Sequence, residues 1–327
     1  MGILEIYRAL AFGGYGNFNF TRSAFLKHAK NFKEEDLQYD MTGKNCIVTG
    51  ANSGIGFATA EALASRGANI VIVCRNKEKG EKALTEITSK TGNSSIHLEL
   101  CDMSSVKQVK ELASRFSSSQ QPLHVLVNNA GLLENEHRVT AEGLELNFAV
   151  NVAGVYTITE SLLPALQKAA PEARVITVSS GGMYVSSIES DLQFDKGKFD
   201  GATQYSRNKR LQVALNEKWV DLYGHRGIGF YTMHPGWSDT PGVERSLPNF
   251  RKFYEKNLRT PEEGADTVVW LAMQPNDKLK SGAFYFDRAE VTKHLPGFGT
   301  SYPPQKVDAI LSQIRLLCGF SEDHTKN

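Results

Sequence analysis

The alternation of strand-like and helix-like segments constrains the fold of this chain more than any other sequence feature. From Lys44 onward, short runs rich in β-branched and apolar residues alternate with longer segments whose apolar residues recur at helical spacing. The short runs are almost continuously apolar, which indicates strands that are covered on both faces. Parallel strands joined through a helix require right-handed crossovers. The pattern therefore predicts an α/β fold, a doubly wound parallel sheet with helices on both faces.

The predicted sheet belongs to one domain with an extension at each end. The domain spans residues 42–290, after an N-terminal extension at residues 1–41 and before a tail at residues 291–327 with a predicted helix at Gln305–Leu317. Seven strands are expected, at Asn45–Thr49, Asn69–Cys74, Ile96–Leu100, His124–Val127, Arg174–Val178, Gly229–Met233 and Gly282–Phe286.

The balance of charges argues against a nucleic-acid-binding protein. The 327 residues include 37 Lys and Arg against 36 Asp and Glu, without the basic excess that such proteins carry. No apolar stretch approaches the roughly 18 residues that a membrane span needs. The four cysteines show no metal-binding spacing, so we expect no metal site and a reducing, cytoplasmic compartment.

The N-terminal extension has a local basic excess, because residues 1–33 contain five Lys or Arg and a single Glu. Two alternatives explain this excess. The segment packs on the predicted core, which we favour, or it docks the protein on a membrane surface or on a partner, which would make the protein a peripheral membrane protein.

A glycine-rich turn, Thr49–Gly56, follows the first predicted strand and opens the first predicted helix. Gly50 permits a sharp turn, Gly54 lets the backbone approach a pyrophosphate, and Gly56 lets helix and strand pack closely. An anion at this place lies on the free N–H groups of the helix N-terminus. Glycines required by turn geometry alone are the alternative. The position between strand and helix favours a Rossmann-type dinucleotide site.

The end of the second predicted strand indicates which dinucleotide binds. An NAD site needs a carboxylate there for the ribose 2′-hydroxyl. This chain has Arg75 and no acid at the end of that strand. A guanidinium is suited to a 2′-phosphate, so NADP is favoured over NAD. The alternative is an Arg75 that forms a structural salt bridge at the strand end.

A Tyr and a Lys four residues apart, Tyr205 and Lys209, lie near the start of a helical pattern that runs to about Tyr223. This spacing places both side chains on one helix face. A neighbouring ammonium favours the phenolate and is expected to lower the pKa of the Tyr hydroxyl.

Together these motifs resemble the classical short-chain dehydrogenases/reductases. The resemblance covers about residues 42–290 and extends to Asn128–Gly131, Ser179-Ser180 and His234-Pro-Gly236. A weaker resemblance to the retinol-dehydrogenase type is visible in Val73-Cys-Arg75.

The resemblance implies a catalytic role for four residues. Tyr205 would donate the proton to the substrate oxygen in reduction and act as the base in oxidation. Lys209 would hold the nicotinamide ribose and lower the pKa of Tyr205. Ser180 would hydrogen-bond the substrate carbonyl, and Asn151 would hold a water that relays protons to Lys209.

The resemblance also implies a set of cofactor-binding residues in addition to Tyr205 and Lys209. Asp102 would bind the adenine amino group, Thr240 would contact the carboxamide, and Asn128 would stabilise the central sheet. The others are Gly50, Asn52, Ser53, Gly54, Ile55, Gly56, Arg75, Asn129, Ala130, Gly131, Pro235 and Gly236.

We therefore expect hydride transfer between NADP(H) and a carbonyl or alcohol substrate. The segment at about residues 240–262 is expected to close over the substrate, and its apolar and aromatic residues favour a lipophilic compound: Val243, Leu247, Phe250, Phe253, Tyr254 and Leu258. The alternative is that these side chains face the core or a neighbouring subunit. The long separation of Ser180 from Tyr205 predicts a loop excursion at Val185–Ala202 beside the site. His234 and Trp219 are expected to be packing residues.

Two further points stay open at the level of sequence. A homodimer that pairs through the Tyr205 helix is plausible by resemblance. A non-catalytic NADP(H) sensor on the same fold is the alternative to an enzyme, because a fold does not imply a function.

Overall fold

The central sheet contains eight strands in a computed structural model that describes residues 3–321. Their order across the sheet is β3-β2-β1-β4-β5-β6-β7-β8, and β1 to β7 are parallel. The predicted α/β fold with a parallel sheet is confirmed. The strands are β1 Asn45–Thr49, β2 Asn69–Cys74, β3 Ile96–Leu100, β4 Val125–Asn128, β5 Arg174–Val178, β6 Gly229–Met233, β7 Phe284–Phe286 and β8 Ala289–Val291.

The prediction of seven strands was wrong by one, because β8 pairs antiparallel with β7 at the edge of the sheet. The turn between them, Asp287-Arg288, has left-handed φ angles of 47° and 59°. Such a turn normally contains Asn or Gly, so the sequence carries no hairpin signal here. The strand itself has three residues and is mostly exposed, which leaves no apolar run to detect.

Helices cover both faces of the sheet. One face packs on α3, α4 and α11, through residues such as Leu63, Ile87 and Val268. The other face packs on α5, α7 and α8, through residues such as Val109 and Ile158. The helices are α1 Ile3–Asn19, α2 Arg22–His28, α3 Gly54–Ala64, α4 Lys77–Thr91, α5 Val106–Ser118, α6 Leu146–Phe148, α7 Val155–Lys168, α8 Gly201–Tyr223, α9 Pro241–Ser246, α10 Pro248–Tyr254, α11 Pro261–Met273 and α12 Pro304–Leu317.

The N-terminal extension packs on the core, as the favoured alternative predicted. Phe20 and Phe25 are buried. The Arg259 guanidinium donates hydrogen bonds to the carbonyls of Asn19 and Phe20, and each bond is 3.0 Å long. Arg259 is itself buried and forms an ion pair with Asp287. Among residues 3–321, no helix combines the length and apolar character needed to span a bilayer.

The C-terminal helix α12 packs against α7 and α8 through a buried polar network. The Glu160 carboxylate on α7 accepts hydrogen bonds from Trp219 Nε1 and Tyr223 Oη on α8, each 2.8 Å long. Arg315 on α12 lies 3.9 Å from the same carboxylate and donates to Tyr156 Oη. Trp219 is thus a core residue, as predicted. The homodimer through α8 stays a prediction, and α12 covers the Trp219 side of that helix.

Glu160→Ala is expected to lower the free energy of unfolding by about 2–4 kcal/mol. The change leaves two buried donors without their acceptor and an arginine without its carboxylate. Glu160→Gln keeps an acceptor oxygen, so its free energy of unfolding should fall by less than that of Glu160→Ala. Urea denaturation followed by circular dichroism measures the difference.

The matched control is Glu86→Ala, which removes an exposed carboxylate paired with Lys90. Surface pairs contribute about 0–1 kcal/mol, so this variant should stay close to wild type. Equal losses for Glu86→Ala and Glu160→Ala would contradict the structural role assigned to Glu160.

Candidate active site

A cavity of about 560 Å³ lies at the carboxyl ends of the parallel strands. Of the predicted site residues, all except Gly56, Asn128 and Asn151 line it. One space therefore holds both groups of candidates: the catalytic residues Ser180, Tyr205 and Lys209, and the nucleotide-binding residues from Gly50 to Thr240. Ligand sites of open α/β sheets occupy this edge, at the point where strand order reverses.

The glycine-rich turn joins β1 to α3 along the cavity wall. Gly50 and Gly54 have φ angles of +66° and +57°, a conformation that other residues rarely adopt. Gly56 faces away from the cavity, and a Cβ atom there would overlap the Asn129 side-chain nitrogen. The helix thus starts with its free N–H groups at the cavity, a favourable place for an anion.

Thr49 connects this turn to the end of β4. Its hydroxyl accepts hydrogen bonds from the backbone N–H groups of Asn129 and Ala130, over 3.0 and 2.9 Å, and donates to the Val127 carbonyl. Asn129 Nδ2 donates to the Thr49 carbonyl over 2.8 Å. Asn128 lies in the sheet and donates to Thr159, in line with a supporting role. Residues 129–131 are consequently held against the glycine-rich turn.

Arg75 lies directly after β2 and is exposed at one end of the cavity. It forms no ion pair or hydrogen bond with any residue that the structure describes, so the alternative of a structural salt bridge finds no partner there. Arg75 and Asp102 line a recess between the ends of β2 and β3. The Asp102 carboxylate accepts hydrogen bonds from the backbone and hydroxyl of Ser104.

Tyr205 and Lys209 lie in the second and third turns of α8, which begins at Gly201, earlier than the sequence suggested. Asp200 caps the helix by accepting from the Thr203 N–H over 2.7 Å. Tyr205 and Ser180 both line the cavity, and Lys209 Nζ lies 5.5 Å from the Tyr205 ring centre. The two side chains therefore share one helix face, as the spacing predicted, and Lys209 reaches the end of β5.

The protonation of this pair differs from the prediction. Burial raises the pKa of Tyr205, and the hydrogen bond from Ser180 opposes the shift only in part. Burial also lowers the pKa of Lys209 to about 7, because the ammonium is taken out of water and donates only to the Val178 carbonyl among the described residues, over 2.8 Å. The expected lowering of the Tyr205 pKa by Lys209 is thus absent from this arrangement.

Asn151 lies in a π-helical segment, Ala149–Gly154, between α6 and α7. Its side chain donates to the Leu132 carbonyl over 2.8 Å and accepts from the Leu132 N–H over 3.1 Å. The Asn151 carbonyl accepts from Gln212 Nε2 over 2.6 Å. Because both ends of the amide bind Leu132, the side chain positions the backbone beside Gly131. The water held by Asn151 stays a prediction, and the contact with Gln212 carried no sequence signal.

His234 is a packing residue, as predicted. Its Nδ1 accepts the Gly181 N–H over 2.9 Å, which places the ring proton on Nε2. The ring stacks on Phe286 and meets Phe20 edge to face. Burial and the neighbouring Arg259 hold the pKa of His234 well below its ordinary value, so the ring stays neutral.

The segment after Thr240 forms one side of the cavity, and its residues divide into two groups. Val243, Leu247 and Phe250 line the cavity, whereas Phe253 points away and is 79% exposed. Thr240 caps α9 by accepting the Val243 N–H. Of the predicted excursion Val185–Ala202, a part that the structure describes in full, Ala202 alone lines the cavity.

Two aromatic lining residues, Phe12 and Trp237, were missed at the level of sequence. The spacing of four between Phe12, Gly16 and Phe20 could have indicated a helix face directed at the core. Within residues 3–321, no cluster of His, Cys, Asp or Glu side chains is arranged to hold a metal ion. The four cysteines are free and buried.

Comparisons with known proteins agree with this architecture. The short chain dehydrogenase family model matches residues 44–249. Dehydrogenase/reductase SDR family member 12 of Homo sapiens is 42% identical over 316 residues, which are 96% of this chain and 98% of that protein. Retinol dehydrogenase 11 of Homo sapiens is 32% identical over 252 residues, which are 76% of this chain and 78% of that protein.

Solved structures share the fold at lower identity. The Pseudomonas aeruginosa RhlG/NADP active-site complex superposes with a TM-score of 0.62 at 23% identity, over 76% of this chain and 95% of that one. A short-chain type dehydrogenase/reductase from Mycobacterium marinum gives a TM-score of 0.63 at 21% identity, over 76% and 94% of the two chains. The family match and the two similar human proteins confirm the resemblance seen in the motifs: the chain belongs to the short-chain dehydrogenase/reductase family of NAD(P)-binding oxidoreductases.

Proposed function

We propose that the protein transfers a hydride between NADP(H) and a lipophilic carbonyl or alcohol compound, with Tyr205 as the general acid and base. One observation carries the proposal: Tyr205 and Ser180 line the same cavity as the glycine-rich turn, and Lys209 Nζ lies 5.5 Å from the Tyr205 ring centre. A carbonyl oxygen between the two hydroxyls would be polarised by one and protonated by the other.

The nicotinamide supplies or accepts the hydride when it is bound, and this chain supplies the proton. The raised pKa keeps Tyr205 protonated at neutral pH, which is the state that a proton donor needs. Lys209, whose pKa burial lowers to about 7, lies on the same helix face and would hold the nicotinamide ribose, the role that the resemblance implies. Ser180, which lines the same cavity, would hydrogen-bond the substrate carbonyl.

The preference for NADP(H) rests on Arg75. Its guanidinium stands at the end of β2, exposed beside the recess that Asp102 lines. A planar cation at this place suits a 2′-phosphate, and no carboxylate follows β2 to accept a 2′-hydroxyl. The RhlG complex, which holds NADP, shares this fold.

The lipophilic substrate class follows from the apolar and aromatic residues that line the cavity. Leu247, Phe250, Trp237 and Phe12 contribute apolar surface there. A sugar or a small hydroxy acid would need more polar partners than this wall offers. The similar human protein named retinol dehydrogenase 11 supports an apolar substrate.

Tyr205→Phe is expected to bind NADPH as wild type does and to lose turnover by about 10²–10⁴-fold, because the ring remains but its proton donor is gone. NADPH fluorescence titration measures binding, and oxidation of NADPH by a panel of aldehydes, ketones and quinones measures turnover. The control is Tyr223→Phe, which removes a buried hydroxyl from the same helix outside the cavity. Wild-type turnover in Tyr205→Phe would exclude the acid–base role, and a wild type that binds NADPH without any turnover would identify a sensor.

Arg75→Ala is expected to weaken NADPH binding by about 10–150-fold and to leave NADH binding nearly unchanged, because a charge-assisted contact contributes roughly 1.5–3 kcal/mol. Lys77→Ala removes an exposed charge two residues further along and serves as the control for general electrostatics. Calorimetric titration of both nucleotides measures the two affinities. If Arg75→Ala lowered the affinities for NADPH and NADH by the same factor, Arg75 would have a structural role instead.

Phe250→Ala is expected to raise the Michaelis constant most for the longest members of an aldehyde series, because the variant removes apolar surface from the cavity. Phe253→Ala is the control, since that side chain lies on the same helix but faces solvent. Wild-type activity should rise with chain length. A flat dependence in wild type would argue against a lipophilic substrate.

A further inference from the structure

The N-terminal helix α1 lies outside the part of the chain that the family model matches, yet it reaches the cavity. The match begins at residue 44, whereas Phe12 on α1 is a lining residue. Phe12 is half-buried, with one side in the cavity and the other toward Phe20, at 6.0 Å between ring centres. A residue from outside the matched segment thus contributes surface to the space that the substrate would occupy.

Spacing along α1 separates a face that packs from a face that does not. Phe12, Gly16 and Phe20 follow each other at intervals of four and therefore lie on one side of the helix. Leu10 and Phe18, each two residues away from that set, point to the other side and are 74% and 83% exposed. The orientation of Phe12 toward the cavity is consequently set by the whole helix.

Gly16 and Phe20 fix this orientation through Trp237. A Cβ atom at Gly16 would overlap the Trp237 indole, so glycine alone permits the observed approach of helix and ring. Phe20 is buried against Trp237, His234 and Phe286, and its carbonyl accepts the Trp237 N–H over 2.8 Å. The helix is thus attached to the residue that directly follows Pro235-Gly236 at the cofactor end of the cavity.

Trp237 also contacts α10, on the segment predicted to close over the substrate. Its ring centre lies 5.1 Å from that of Phe250 and 4.6 Å from that of Tyr254. Phe12, Trp237 and Phe250, from three separate parts of the chain, therefore all line the cavity, and Phe20 lies next to both Phe12 and Trp237.

We propose that Phe12 is a specificity-determining residue, and that α1 supplies the part of the wall that receives the apolar portion of the substrate. The inference rests on the proposed function for the reaction, but binding of an apolar ketone tests it without turnover. The chemistry of the wall favours a carbonyl compound with an aromatic or long aliphatic group, because Phe12 offers apolar contact and no hydrogen-bonding atom.

The test compares Phe12→Ala with Phe18→Ala, which removes the same side chain from the exposed face of the same helix. The probe is prodan, a fluorescent aromatic ketone, titrated into the NADP⁺-bound protein so that binding is read without reduction. We expect the dissociation constant of prodan to rise about tenfold in Phe12→Ala and to stay at the wild-type value in Phe18→Ala. In turnover assays, Phe12→Ala should raise the Michaelis constant for decanal and leave that for propanal unchanged, whereas Phe18→Ala should change neither.

A second pair of variants tests the attachment of the helix without changing the cavity surface. Gly16→Ala is expected to reproduce the effect of Phe12→Ala, because the added methyl group displaces the helix from Trp237. Gly14→Ala is its control, since a Cβ atom there meets nothing within 4 Å. Equal prodan affinity in wild type, Phe12→Ala and Gly16→Ala would overturn the inference. A wild type that binds prodan in a Phe12-dependent manner but reduces no carbonyl would contradict the proposed function and leave the inference standing.

Discussion

The hydrogen bonds of Thr49 at the end of β1 are the contacts on which the rest of the site depends. Its hydroxyl joins the ends of β1 and β4, because it accepts from the N–H groups of Asn129 and Ala130 and donates to the Val127 carbonyl. This is where the strand order reverses, so the loops that leave the two strands separate and open a crevice. Gly131 lies next in the chain, and Asn151 and Lys209 both approach it. Helix α8, which carries Tyr205 and Lys209, is therefore positioned against a backbone that the β1–β4 contact has already fixed.

Tyr205 and Lys209 are removed from water in the folded protein, and this burial shifts the pKa of each. Removal from water disfavours both the phenolate of Tyr205 and the ammonium of Lys209, so the pKa of the first rises and that of the second falls to about 7. Each group is thereby driven toward its neutral form. The result is a protonated donor beside a lysine whose charge changes near neutral pH, an arrangement in which a small change in the surroundings shifts the proton balance.

Segments outside the family match complete the fold on two sides. The N-terminal helix packs on Trp237 and adds Phe12 to the lining of the cavity, whereas α12 covers α7 and α8 through the Glu160 network. Both segments are attached through side chains to helices or loops of the matched region and add no strand to the sheet. The sheet can therefore keep its geometry while the surroundings of the cavity change, which is how one fold accommodates different substrates.

The sequence by itself determined the fold class, the glycine-rich turn at the cavity and the helix that carries Tyr205 and Lys209. Local sequence patterns determine those features. The patterns are apolar runs of strand length, glycines that adopt a left-handed φ between β1 and α3, and a Tyr–Lys spacing that places two side chains on one helix face. Tertiary structure alone decided the eighth strand, the π-helical turn at Asn151 with its Gln212 contact, the direction of the Tyr205 pKa shift, and the presence of Phe12, Trp237 and Phe250 in one cavity. Each of these depends on burial or on contacts between residues far apart in the chain, and neither is encoded in a short window of sequence.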